Sequence, residues 1–181
     1  MNSQKLITPI ILFVLLFFSS NAFAGPNSNA SCSLDMDIRT DSIENSVVAY
    51  KNDIIWVAVI ASEVYNLDTY QVEIEFDDGL IQFLGGYEDS QYNGIENLLK
   101  INGGETLSFK AVEHKPGLIN IANSMPGINE KFAPEGSGVI AIIQFKVLSE
   151  HPTSMALRNV NFLDVNNVRD QIRKLSDGTI N

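Results

Sequence analysis

The stretch at residues 70–76, Tyr-Gln-Val-Glu-Ile-Glu-Phe, alternates apolar and polar side chains without a break. A period of two places Tyr70, Val72, Ile74 and Phe76 on one face and Gln71, Glu73 and Glu75 on the other, which describes a β-strand buried on one side and wetted on the other. The rest of the chain repeats the theme, with short apolar or alternating runs separated by Gly, Asn, Asp and Pro. Residues 34–38 alternate, 54–61 are β-branched and aromatic, and 80–84 follow an Asp-Asp-Gly turn. Residues 106–112 and 118–122 flank a hairpin turn at His114-Lys115-Pro116-Gly117. Residues 138–148 form the longest apolar run of the domain, and their content of Val and Ile favours strand over helix. Strands at 157–163 and 168–180 complete the set. Residues 92–99 carry a weak helical signal, and 123–137 read as a Pro- and Gly-rich surface loop. The expectation is an all-β domain of two antiparallel sheets packed face to face.

Ahead of this pattern lies an export signal. Lys5 gives a positive start, residues 10–18 are uniformly apolar, and Ala22-Phe23-Ala24 fits the small-x-small cleavage rule. The apolar run is far short of the roughly 20 residues that span a bilayer. The reading is a signal peptide at 1–24 cut after Ala24, a flexible linker at 25–33 and one domain at 34–181, secreted or periplasmic. Cys32 lies in the linker as the chain's lone cysteine, so no internal disulfide forms. Lipid attachment at Cys32 is disfavoured, because Asn29 stands where a lipoprotein signal carries Leu. The formal net charge of −10 at pH 7 repels nucleic acid and anionic membranes.

The supply of catalytic chemistry is thin. His114 and His151 stand beside turn prolines, where a histidine is ordinarily solvated. Nucleophile-elbow, zinc-protease and phosphate-loop motifs do not occur. Glu73 and Glu75, with Asp77, are the one carboxylate set that glycoside hydrolysis would use, but alternation alone already explains them as a solvated face. Asp164, Asn166 and Asp170 begin like a calcium loop and lack its glycine and closing Glu, so an Asn/Asp-rich turn is expected. No catalytic residue, metal or cofactor is therefore assigned.

Binding needs less machinery. If Phe145 and Val147 point inward along residues 138–148, then Ile140 and Ile142 point outward beside Gln144 and Lys146, an apolar element on an exposed face. For a carbohydrate ligand the candidates are Tyr87 and Tyr92, in polar, glycine-containing stretches. Trp56, inside an apolar strand, reads as core.

The order and spacing of these strands resemble the cohesin family. The pieces are residues 54–61, then 67–77 ending in Phe76-Asp77, then 80–84, 138–147, and a closing segment from Phe162-Leu163-Asp164 to Asp177-Gly178-Thr179-Ile180. The resemblance implies a nine-stranded antiparallel jelly-roll β-sandwich. It further implies a non-catalytic module that binds a dockerin-like protein partner through one flat sheet face, in the assembly of polysaccharide-degrading complexes. Carried over by position, the binding residues are Gln71, Glu73, Glu75, Asn120, Ile140 and Ile142. Carbohydrate-binding modules that share the fold supply the alternative ligand, a polysaccharide held by Tyr87 and Tyr92.

Overall fold

The computed structural model describes residues 24–89, 94–127 and 130–181. Among them the strands are β1 (Ser31–Asp35), β2 (Ser46–Val47), β3 (Ile54–Val64), β4 (Leu67–Phe76), β5 (Ile81–Tyr87), β6 (Lys110–Lys115), β7 (Leu118–Ser124), β8 (Gly136–Val147), β9 (Thr153–Asp164), β10 (Arg169–Gln171), β11 (Lys174–Ser176) and β12 (Gly178–Ile180). One 3-10 turn, Leu98–Lys100, falls within the stretch expected to be weakly helical. One sheet has the order β11-β1-β3-β8-β5; the other runs β2-β12-β9-β4-β7-β6, with β10 also paired to β9. The two-sheet sandwich is as the sequence implies and mostly antiparallel, with β1–β11 and β2–β12 paired parallel. Twelve strands form among the described residues rather than nine. Four of them, β2, β10, β11 and β12, are two- and three-residue pieces, too short to show a period.

The sheets bury their alternate residues against each other. Val57, Val59, Val72, Ile74, Ile119, Ile121, Ile143 and Phe145 have no exposed surface, and each such side chain contributes about 1.5–3 kcal/mol. Phe145 from the β11–β5 sheet meets Phe76 from its partner sheet edge-on, with centroids 5.3 Å apart, and Phe83 at 6.2 Å. The β6–β7 hairpin turns tightly at Pro116–Gly117, and Gly117 takes φ +74°, which a side chain would resist. A Cβ there would also strike the Phe76 carbonyl oxygen at 2.5 Å.

Two bulges set the phases that matter for the surface. In β8, Ile60 faces Val139 while Val59 faces Ala141, so Ile140 is an extra residue. Its carbonyl oxygen accepts from the Tyr70 hydroxyl and, at 2.6 Å, from Asn97 Nδ2. Asn97 is itself fully buried and caps the 3-10 turn through Leu99 N–H. In β9, Val72 faces both Asn159 and Val160, and Asn159 adopts φ +45°, a conformation Asn tolerates.

The N-terminal stretch expected to be a flexible linker is built into the fold. Residues 26–29 form a turn, Asn27 is fully buried, and Ser31–Asp35 is β1. Cys32 consequently sits in the core, and burial pushes its thiol up to about 12. A thiol so placed is inert and has no room for a lipid. The proposed signal peptide lies outside the described residues, apart from Ala24. No helix of the described residues is long and apolar enough to cross a membrane.

Candidate partner-binding face

The contiguous strands β9, β4, β7 and β6 present one continuous outer face. Gln71 stands between Asn161 of β9 and Ala122 of β7; Glu73 stands between Arg158 and Asn120; Glu75 stands between Ala156 and Leu118. Beyond them β6 contributes Lys110 opposite Ala122 and Val112 opposite Asn120. Four strands about 4.8 Å apart, each rising about 3.4 Å per residue, make a surface roughly 15–20 Å on a side.

Glu73 is held from both neighbouring strands. Its Oε2 accepts from Asn159 Nδ2 at 2.5 Å and its Oε1 from Asn120 Nδ2 at 3.5 Å. The left-handed bulge at Asn159 aims that amide across the strand gap. Glu75 accepts from Arg158 Nε at 3.0 Å, in an ion pair whose side chains are about half exposed. Such surface pairs contribute little to stability. The two glutamates thus lie side by side on an open sheet, bound by amides and a guanidinium. They do not face each other across a cleft, as a glycosidase pair must. Asp77 lies in the turn that follows β4, where its Oδ1 accepts from Gly79 N–H.

Ile140 and Ile142 do not join this face. Both belong to β8, in the other sheet, and neither has exposed surface. The bulge turns Ile140 into the core. Ile142 does point outward, in register with Ala58 of β3 and Tyr87 of β5, and is covered. Trp56 and Tyr87 stand on opposite flanks of β8 with ring centroids 5.3 Å apart, so their contact bridges the strand above it. Tyr87 folds back over Gly85, where an added Cβ would lie 3.6 Å from its hydroxyl oxygen. Trp56 is half-buried on the outer face and is not core. Tyr87 is exposed; Tyr92 lies outside the described residues.

The remaining candidates fall into separate places. His114 is exposed in β6, extending the strand past its expected end, on the rim of a cleft of about 590 Å³ between β5 and β6. His151 is exposed in the β8–β9 connection. Asp164 closes an Asx turn, accepting from Asn166 N–H at 2.9 Å and Val168 N–H at 2.7 Å, while Asp170 points away from it into the interior. Asp68, near Asp164, has its carboxyl held above the usual range by burial, with the Asp164 charge adding to the effect. Sequence reasoning missed Asn159 and Arg158. An Asn within a strand was the signal for the first.

A two-sheet β-sandwich carrying one polar face and one aromatic face defines the class of this molecule. Its fold is that of cohesin domains. It is similar to a type II cohesin from the cellulosome of Acetivibrio cellulolyticus, with 18% identity and TM-score 0.62 over 84% of this chain and 95% of that one. A non-cellulosomal cohesin from the archaeon Archaeoglobus fulgidus aligns at 12% identity and TM-score 0.58, covering 83% and 88%. A type I cohesin in complex with a dockerin, from Clostridium thermocellum, aligns at 12% identity and TM-score 0.62, covering 83% and 91%. No protein-family model and no curated protein sequence matches the chain.

Proposed function

We propose that this chain is a non-catalytic, cohesin-type protein-binding module that is exported through its N-terminal leader and acts outside the cytoplasm. The partner is a dockerin-like domain, and it docks on the outer face of β9, β4, β7 and β6. The observation that carries this reading is Glu73, held between Asn159 and Asn120 at the centre of that face. A carboxylate fixed by two amides presents its remaining lone pairs without further ordering, the preorganisation that favours association. The face, roughly 15–20 Å on a side, has room for a helix about 10 Å across.

Titration against a panel of type I and type II dockerins tests the proposal. Binding by at least one of them is expected, weakened at least tenfold by Glu73→Lys. A folded chain that binds none contradicts it.

Carbohydrate binding is a second reading, and one observation favours it. Tyr87 finds its aromatic partner in Trp56, which makes a two-ring surface for stacking on a sugar. Retention on insoluble polysaccharide that Tyr87→Ala abolishes would establish this reading; passage straight through the matrix would remove it.

A further inference from the structure

Asp170 is the middle residue of β10, opposite Phe162, so its side chain turns inward and is only 7% exposed. Among the described residues its carboxylate accepts one hydrogen bond, from Asn27 N–H to Oδ2 at 2.8 Å. One amide does not offset the cost of taking a carboxylate out of water, and buried charges are ordinarily paired. Asp164 is buried to a similar degree, but it has two backbone amides and a turn built around it.

The N-terminal turn rests on that carboxylate. Ser28 N–H donates to the Gly25 carbonyl at 3.1 Å. Asn27 is clamped to the β3–β4 connection: its Oδ1 accepts from Tyr65 N–H at 2.7 Å and its Nδ2 donates to Tyr65 O at 3.1 Å. A Cβ on Gly25 would lie 2.3 Å from Asp170 Oδ2 and 2.5 Å from Oδ1, so only glycine fits. The Gly25 Cα is one bond of about 1.5 Å behind that point. Its nitrogen, about 2.5 Å from that point, therefore lies within about 5 Å of Asp170 Oδ2.

We propose that the Ala24–Gly25 bond is the processing site of this chain, and that the ammonium group it frees on Gly25 is the counter-ion of Asp170. A leader peptidase hydrolyses the amide with one water. The carbonyl carbon takes the hydroxyl and leaves as the Ala24 carboxylate. The nitrogen takes the proton and, protonated once more from solvent, becomes an α-ammonium. Before the cut this position offers an amide; after it, a positive charge meets the buried negative one and fastens the N-terminal turn to β10. The identity of the cut rests on the export reading, whereas the surroundings of Asp170 do not depend on it.

The experiment uses the protein recovered after export. Its intact mass is expected to place the N-terminus at Gly25, and any other N-terminus overturns the processing-site assignment. The α-amine is then labelled with an N-hydroxysuccinimide ester near pH 7, where an ordinary α-amine with a pKa of about 7.7–8.0 reacts ahead of lysine. Labelling of Gly25 is expected to be at least tenfold slower in the wild type than in Asp170→Asn, which keeps an acceptor for Asn27 N–H and removes the charge. Should Asp170→Asn fail to fold, the same wild-type protein in denaturant serves as the fast reference. Equal rates overturn the ion pair and leave the export reading standing.

Discussion

The outer faces of the two sheets use the same alternating element and end with opposite character. On β4, outward positions hold Gln71, Glu73 and Glu75; Glu73 is tied to Asn159 and Asn120, and Glu75 to Arg158, across strand gaps. On β3 and β8, outward positions hold Trp56, Ala58 and Ile142; Ala58 and Ile142 are buried, and Trp56 meets Tyr87 across β8. The first face keeps its polar groups at the surface. The second buries its own centre beneath an aromatic cover. A partner gains most where surface groups are already ordered, and the docking we propose on the first face follows that rule. The second face works chiefly as an additional layer of core.

That contrast is breakable by substitution. The largest effect is expected at Ile142→Asp, which buries an unpaired carboxylate under the aromatic pair. Destabilisation of roughly 4 kcal/mol or more, with loss of the cooperative transition in urea, is the expected outcome. A stable, folded Ile142→Asp protein would mean that the second face is an open surface after all. Next comes Tyr70→Phe, which removes the hydroxyl that donates to the bulged Ile140 carbonyl. Asn97 still serves that carbonyl, so a loss of about 1–2 kcal/mol in urea denaturation is expected.

On the polar face the same scale of change is absent. Glu75→Ala breaks an exposed ion pair and should leave stability within about 0.5 kcal/mol by the same denaturation measurement. The smallest effect concerns Asp68. Burial raises its carboxyl, so the protonated form is the one the fold prefers. Its stabilising contribution is present at acid pH and is lost as pH rises through the raised value. Asp68→Asn mimics the neutral form. Its Tm should exceed the wild type's by about 1 °C at pH 7, since the group is partly solvent-screened, and match it near pH 3.

The sequence made one of these faces readable and hid the other. In residues 70–76 the polar positions fix the phase, and the structure puts Gln71, Glu73 and Glu75 outward as that phase requires. From Val139 to Ile143 every side chain is apolar, so nothing local marks which positions face in. The extra residue at Ile140 then re-phases the strand, and its cause is a pair of contacts to Tyr70 and Asn97, far away in the chain. Sheet membership was hidden for the same reason. β8 reads as a strand, but its neighbours β3 and β5 are set by long-range pairing. The segment at 25–33 looks like a linker because it is small and polar. Its order comes from Tyr65 and Asp170, which sequence proximity does not reveal.

Two charge-inserting variants compared side by side test the central claim most directly. Glu73→Lys alters the centre of the polar face, and Tyr87→Lys alters the aromatic face. Both are first shown to melt cooperatively, and both are then titrated against the same dockerin. Binding at least tenfold weaker is expected for Glu73→Lys, and a Kd within twofold of the wild type for Tyr87→Lys. Weakening by Tyr87→Lys with binding intact in Glu73→Lys would contradict it and move the partner to the other sheet.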